Sequence, residues 1–290
     1  MAVSSLENRT SPGSLLERMQ KTSKRAWAFK SRVIGMPTAL VYGWYSGQLL
    51  AQVKAKRVPT HVAMILDGNR RYARGVGFAD ITEGYRYGAM KVNEVVKWCD
   101  ELQIPVITLW GLSTDNLRRS PEELEKFFLF LGDKLKEFSH DPYKSRKIRV
   151  VGRVDLLPPA LRESIQMVER QTESAGPWQL NVALAYGGRD EILDAFKRVL
   201  QAKGAEGETA SQIADTLCSS EIEKYLYAPD VPEPELIIRT SGEVRLSGFL
   251  LWQSVYSELY FCDSLWPAFR KIDFLRCVRS FQSRQRRFGQ

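Results

Sequence analysis

Past residue 59 the chain alternates short apolar runs with longer segments of helical spacing. The runs at 61–66, 104–109, 148–151, 180–185, 236–238 and 258–261 are four to eight residues or shorter and mostly uninterrupted by charge, the pattern of strands buried on both faces. Residues 84–102 place Met90, Val92, Val95, Val96 and Leu102 at helical spacing, and Ser120-Pro121 opens a helix that runs to 138. Segments 159–172, 190–203, 209–226 and 272–286 read as further helices. Strand alternating with helix in this way predicts an α/β domain over residues 59–290, with a mostly parallel central sheet flanked by helices.

Residues 1–58 are a different kind of sequence. The first 20 are polar, and a charge-free stretch of 21 residues follows from Val33 to Val53. That length meets the roughly 20 residues a membrane span needs, but Gly35, Pro37, Gly43, Ser46, Gly47, Gln48 and Gln52 interrupt it. Trp27, Phe29, Tyr42, Trp44 and Tyr45 lie among cations, which suits a helix lying on acidic lipid. A helix folded onto the domain fits equally, and an organelle transit peptide is a third reading.

Charge sharpens this division. The net charge is +8, and residues 1–58 carry ten Lys/Arg against Glu7 and Glu17, which is the whole excess. The other 232 residues are formally neutral, so a general polyanion-binding face, and with it nucleic-acid binding, is disfavoured. Cys99, Cys218, Cys262 and Cys277 show no Cys-x-x-Cys spacing and only His61 and His140 accompany them. The expectation is four small buried thiols in a reducing, cytoplasmic setting, with the basic extension available for contact at a membrane periphery.

Ligands of open parallel sheets bind beyond the carboxyl ends of the strands, and there the polar residues collect. Asp67-Gly68-Asn69-Arg70-Arg71 follows the first strand, offering a carboxylate, a glycine that admits close backbone approach and two guanidinium groups. Ser113-Thr114-Asp115-Asn116, then Arg118 and Arg119, follow the second. Arg239-Thr240-Ser241-Gly242-Glu243-Val244-Arg245-Leu246-Ser247 follows the fifth and repeats the same anion-binding chemistry. Two such sites suggest two phosphorylated substrates meeting, although Arg239 and Arg245 also fit structural ion pairs with Glu243 or Asp263. Phe127, Phe128, Phe130 and Leu131 crowd one helix, either as core or as the wall of an apolar tunnel.

The stretch His61-Val62-Ala63-Met64-Ile65-Leu66-Asp67-Gly68-Asn69-Arg70-Arg71-Tyr72-Ala73 closely resembles the signature of cis-prenyltransferases. The 239–247 segment resembles it too, as do Phe249-Leu250-Leu251-Trp252-Gln253, Tyr256-Ser257-Glu258-Leu259-Tyr260-Phe261 and the closing Arg286-Arg287-Phe288-Gly289. The resemblance implies the undecaprenyl diphosphate synthase-like fold and condensation of isopentenyl diphosphate with an allylic diphosphate (geranyl or farnesyl diphosphate). The product would be a Z-polyprenyl diphosphate of short to medium length; a long-chain synthase and a non-catalytic accessory subunit are the alternatives. It further implies Mg²⁺ held by Asp67 and Glu258, with Asp67 and Asn116 as the catalytic residues. Gly68, Asn69, Arg70, Arg71, Tyr72, Tyr85, Ser113 and Arg118 would bind substrate beside Arg239, Arg245 and Ser247. Arg287 and Gly289 would reach into the partner's site in a homodimer, and Gly111, Leu112, Phe127, Phe128 and Leu131 would line the tunnel.

Several positions depart from the long-chain bacterial pattern. Tyr85 stands where a His is usual, Leu117 where Trp is common and Val244 where many members have His, and residues 78–83 lack an expected Arg. Residues 80–89 resemble instead the actinobacterial short-chain Z-farnesyl diphosphate synthases. Gly111, at a position that a bulky residue blocks in short-chain members, pulls toward a longer product.

Overall fold

The computed structural model describes residues 42–138 and 146–283. The chain divides into two compact units, residues 1–51 and 52–290. Residues 42–54 are helical and are named α1; Trp44 on it is 64% exposed. No described helix is long and apolar enough to cross a membrane. The expected readings of the chain before residue 42, and the parts of Arg287 and Gly289, lie outside the described residues.

The second unit is built on a six-stranded parallel sheet in the order β3-β4-β2-β1-β5-β6. The strands are β1 (His61–Ile65), β2 (Val106–Trp110), β3 (Arg146–Val151), β4 (Trp178–Ala183), β5 (Leu236–Arg239) and β6 (Glu258–Phe261). Parallel neighbours need crossover connections, and helices supply most of them. α2 (Asn69–Val76) and α3 (Glu83–Glu101) join β1 to β2, α4 (Pro121–Phe138) leads to β3, and α5 (Pro159–Thr172) to β4. α6 (Gly188–Ala205), α7 (Ala210–Thr216) and α8 (Ser219–Glu223) precede β5, and α9 (Lys271–Ser283) closes the described chain. Every residue of β1, β2 and β5 is buried, as their uninterrupted apolar runs predict.

Two elements differ from expectation. The helix expected over 209–226 is two helices: a capping box at Thr209 opens α7, and the extended backbone of Leu217 and Cys218 breaks the run before α8. α2 lies outside the expected helices and buries only Ala73 of its eight residues; Gly68 and Gly77, both at positive φ, bound it. Of the four thiols, Cys99 and Cys277 are buried, but Cys262 is half-buried and Cys218 exposed. Their chemistry as apolar filler therefore applies to two.

The strand order locates a site. β1 sends the chain first toward β2 and later receives β5 on its other edge, so a crevice opens beyond the carboxyl ends of β1 and β5, where ligands of such sheets bind. Beneath it, Trp110 stacks on Phe249 with ring centroids 5.1 Å apart, and Tyr186 meets both edge-on. With Ile65, Ala183, Ile237 and Leu250 these rings form a buried apolar cluster under the strand ends.

At the opposite end of β1, His61 is 2% exposed, with Nδ1 against the Pro232 carbonyl oxygen at 2.6 Å and Nε2 against Thr108 Oγ1 at 2.8 Å. Burial pushes its pKa down to about 4, against weaker upward pulls from Pro232 and Glu235. The folded chain thus keeps His61 neutral where the unfolded chain protonates it. Its stabilising contribution is complete above the ordinary histidine pKa of about 6.5 and is lost as pH falls from there toward about 4, on the order of 3 kcal/mol in all. Urea midpoints at about pH 7 and about pH 4.5 should fall further in the wild type than in His61→Asn; equal falls would refute this.

Candidate active site

β1 and β5 pair in register with Ile65 opposite Arg239, so Asp67, two residues past Ile65, meets the end of β5. Thr240 fastens the turn: its Oγ1 accepts the Asp67 N–H at 3.0 Å and donates to the Asp67 carbonyl at 2.7 Å. Trp266 adds a second fastening, its N–H donating to the Asp67 carbonyl at 3.0 Å and its indole N–H to the Gly88 carbonyl at 2.9 Å. Gly68 sits at φ +107, and a Cβ there would lie 3.1 Å from the Leu265 Cα and 2.8 Å from its Cδ2. Glycine is required for both the conformation and the space.

The Asp67 carboxylate is one-third exposed. Its Oδ2 accepts from Arg239 Nη2 and from Ser241 Oγ, both at 2.9 Å, and lies 3.5 Å from Arg71 Nη2. Burial works against the charge, but the Arg239 and Ser241 hydrogen bonds and the Arg239 and Arg71 charges outweigh it and hold Asp67 below the usual carboxylate range. Arg239, with its side chain only 5% exposed, also donates from Nη1 to the Arg245 carbonyl at 2.6 Å and to Ser247 Oγ at 2.8 Å. These bonds fold the 239–247 loop back on itself, with Ser241 at φ +87 and Ser247 at φ +51. Strained non-glycine backbone of this kind concentrates at functional sites.

A polar cavity of about 570 Å³ opens over this cluster, and six guanidinium groups line it: Arg70, Arg71, Arg74, Arg119, Arg239 and Arg245. Asp67, Asp115 and Glu243 are the carboxylates of the lining. Ser113 and Asn116 line it too and close their loop reciprocally. The Ser113 N–H donates to Asn116 Oδ1 at 3.3 Å, and the Asn116 N–H to Ser113 Oγ at 3.1 Å. Gly68, Asn69, Tyr85 and Ser247 complete the expected residues that the structure gathers here.

Arg118 does not join them. It is exposed, and the cavity takes Arg119 instead. Arg119 is the extended residue that ends the 3₁₀ helix at Asp115–Arg118, and its side chain turns to Tyr85 and Glu123. Arg119 Nη1 donates to the Tyr85 hydroxyl at 2.9 Å, and that hydroxyl donates to Glu123 Oε1, which Arg119 Nε and Arg70 Nη1 approach at 3.6 and 3.9 Å. Burial foremost, then Glu123, raises the Tyr85 pKa, so it remains a proton donor. Tyr72 packs against Phe78 and Tyr87 and is absent from the lining.

A second, apolar cavity of about 80 Å³ shares Leu66, Asn69, Tyr85 and Gly111 with the first. Phe127 and Leu131 line it as expected, joined by Phe130, Lys134 and Phe138 farther along α4. Leu112 lines the polar cavity instead, and Phe128 packs edge-on against Phe127 at 6.0 Å outside the lining. Gly111 stands at the shared wall, where a Cβ would lie 3.3 Å from Leu184 Cδ2.

Glu258 requires a correction. It pairs with Leu236, which pairs with Val62, whereas Asp67 lies five residues beyond Val62. At about 3.3 Å per residue the two carboxylates are roughly 16 Å apart along the strands, too far to share an ion within one subunit. Among the described residues no three His, Cys, Asp or Glu side chains gather as a metal site. Asp67 fits Mg²⁺, which binds through one or two carboxylates together with substrate phosphates. All protein contacts of its carboxylate among the described residues fall on Oδ2, and Oδ1 remains for a cation.

Comparison with known proteins agrees with this geometry. The undecaprenyl diphosphate synthase family model matches residues 65–289. An isoprenyl transferase of Corynebacterium diphtheriae is 44% identical over 248 residues, 86% of this chain and 93% of that protein. A geranylgeranyl-diphosphate-specific tritrans,polycis-undecaprenyl-diphosphate synthase of Thermoplasma acidophilum is 47% identical, over 84% of this chain and 94% of that protein. Lavandulyl diphosphate synthase from Lavandula x intermedia, solved with dimethylallyl diphosphate, superposes with a TM-score of 0.74 at 30% identity, covering 80% of this chain and 99% of that one. The chain belongs to the cis-prenyltransferase family and is a prenyl transferase.

Proposed function

We propose that this enzyme condenses isopentenyl diphosphate with an allylic diphosphate primer and elongates it to a Z-polyprenyl diphosphate. One observation carries the reading: a cavity lined by six guanidinium groups around Asp67 shares a wall with an apolar cavity. Diphosphates suit the first and hydrocarbon tails the second.

Gly68, Asn69, Arg70 and Arg71 hold the allylic diphosphate, with Arg74 and Arg119 added by the geometry. Arg239, Arg245 and Ser247 hold isopentenyl diphosphate. The allylic C1–O bond breaks heterolytically, and its electron pair leaves with the diphosphate, whose negative charge the preorganised guanidinium groups stabilise. The double bond of isopentenyl diphosphate attacks that C1 through its C4, and as the C2–H bond breaks its electron pair forms the new C2–C3 double bond while the proton passes to an oxygen of the departing diphosphate. Holding both substrates makes the carbon–carbon bond formation effectively unimolecular. Asn116 and Ser113, locked to each other, keep the reacting groups in place. Mg²⁺, when bound at Asp67, neutralises diphosphate charge.

The active form in this reading is a homodimer in which Arg287 and Gly289 complete the partner's site; the family match that reaches residue 289 supports this. The basic 1–58 extension rests on acidic lipid, which the exposed Trp44 supports. Sedimentation alone and with anionic vesicles tests both: a monomer, or a chain left in the supernatant, removes the corresponding part.

Labelled isopentenyl diphosphate, supplied with geranyl, farnesyl or geranylgeranyl diphosphate, tests the reaction itself. The wild type should give a ladder of Z-polyprenyl products. Gly111→Leu, which fills the wall between the cavities, should shorten that ladder. No incorporation with any primer would end the proposal.

A further inference from the structure

The apolar cavity carries a charged side chain in its lining, Lys134, one turn before Phe138 at the end of α4. Phe127, Phe130, Leu131, Lys134 and Phe138 line it from one face of α4, at the three- and four-residue spacing of a helix. Lys134 lies eleven residues beyond Glu123, the partner of Tyr85 and Arg119 in the polar lining, about 16 Å along the helix axis. Its side chain is 6% exposed. The stem lines the cavity, while Nζ reaches the seam between α3 and α4. There it donates to Oδ1 of Asn93 on α3 and, at 2.9 Å, to Oε2 of Glu137 on α4. Asn93 Nδ2 donates in turn to Glu137 Oε1 at 2.6 Å, so the three side chains close a ring across the two helices. The ammonium also sits 5.5 Å from the Phe138 ring centre.

We propose that the Lys134–Asn93–Glu137 ring is a latch that closes the far end of the hydrocarbon channel between α3 and α4 and stops chain growth there. A wall serving only to pack would be filled by leucine or phenylalanine, since a nearly buried ammonium is costly unless its hydrogen bonds are made. Here one is made across the seam to Asn93 on α3 and the other to Glu137 on the same helix. A growing chain that reaches this depth must press methyl groups onto the ammonium or part it from Asn93 and Glu137. Shorter chains meet neither penalty. The cost therefore falls selectively on the next addition, which is what distinguishes one product length from its neighbour. Gly111 at the entrance and Lys134 at the end thus act oppositely: one leaves the channel open, the other sets where it stops.

This inference rests on the proposed use of the apolar cavity for the growing chain. Its test compares product distributions of the full-length wild type, Lys134→Leu, Lys134→Arg and Asn93→Ala with labelled isopentenyl diphosphate and one primer. Thermal unfolding of each variant accompanies the comparison. Lys134→Leu keeps an apolar floor without the latch, and its main product should lengthen by at least one isoprene unit. Asn93→Ala loosens the latch without touching the cavity wall, and its products should shift the same way. Lys134→Arg preserves a cation between the helices and should restore the wild-type distribution. If Lys134→Leu fails to fold, Asn93→Ala decides the matter. Wild-type or shorter products from active, folded Lys134→Leu and Asn93→Ala overturn the latch, whereas a wild type that incorporates no label overturns the function itself.

Discussion

Asp67→Ala should lower isopentenyl diphosphate incorporation by at least two orders of magnitude while the far-ultraviolet circular dichroism stays that of the wild type. Two effects combine. The carboxylate lies among the guanidinium groups of the polar cavity and, in the proposed function, would hold Mg²⁺, so its loss would remove a group that helps offset diphosphate charge. Removing one preorganised electrostatic group of this kind costs about 100- to 1000-fold in rate. The second effect falls on Arg239, whose side chain is 5% exposed and whose Nη2 donates to Asp67. Losing a partner from a fully buried ion pair costs about 3–5 kcal/mol. Because the Asp67 side chain is one-third exposed, water replaces part of the interaction and about 2 kcal/mol is the expected loss of stability. Asp67→Asn separates the two effects: it retains an oxygen acceptor for Arg239 and should recover most of the stability but little of the rate. Turnover within tenfold of wild type in Asp67→Ala would remove Asp67 from the chemistry.

Gly84→Ala should unfold the domain at a markedly lower temperature. A Cβ at Gly84 would lie 2.1 Å from the Asn69 carbonyl oxygen and 2.8 Å from its carbonyl carbon. Both are backbone atoms at the start of α2 and cannot swing aside as a side-chain tip does. α3 must therefore move away from α2. Overpacking of this kind costs about 1–3 kcal/mol, and at 2–4 °C per kcal/mol for a domain of this size the melting temperature should drop by about 2–12 °C. The shift also reaches the site, because Asn69 and the Arg70–Arg71 pair ride on the same turn of helix. Activity measured well below the melting temperature should fall along with stability. An unchanged melting temperature would show that the two helices separate without cost.

The two predictions draw on different layers of information. Asp67 was legible in the sequence because a carboxylate, a glycine and two arginines directly after an apolar run form a local pattern, and the strand-end rule supplies its location. Arg239, Arg245 and Ser247 were legible for the same reason. Gly84 carried no such signal: its role depends on how closely α3 crosses α2, a distance between segments that neither segment encodes alone. Arg119 lies between these cases. It follows the second strand beside Arg118 with the same chemistry, and only the fold turns one of the two into the cavity. Lys134 carries no signal of its own in the sequence, because Asn93 and Glu137 come around it only in the fold.

Local chemistry thus determined the α/β class, the parallel sheet and the anion-binding turns, since each follows from the order of residues within one short stretch. The pairing of Ile65 with Arg239, the remoteness of Glu258 from Asp67, the meeting of two cavities at Gly111 and Tyr85, and the closed seam between α3 and α4 belong to the tertiary structure. All four depend on strand register and helix packing, which are set by contacts between segments tens to hundreds of residues apart, and no single segment contains the information that fixes them.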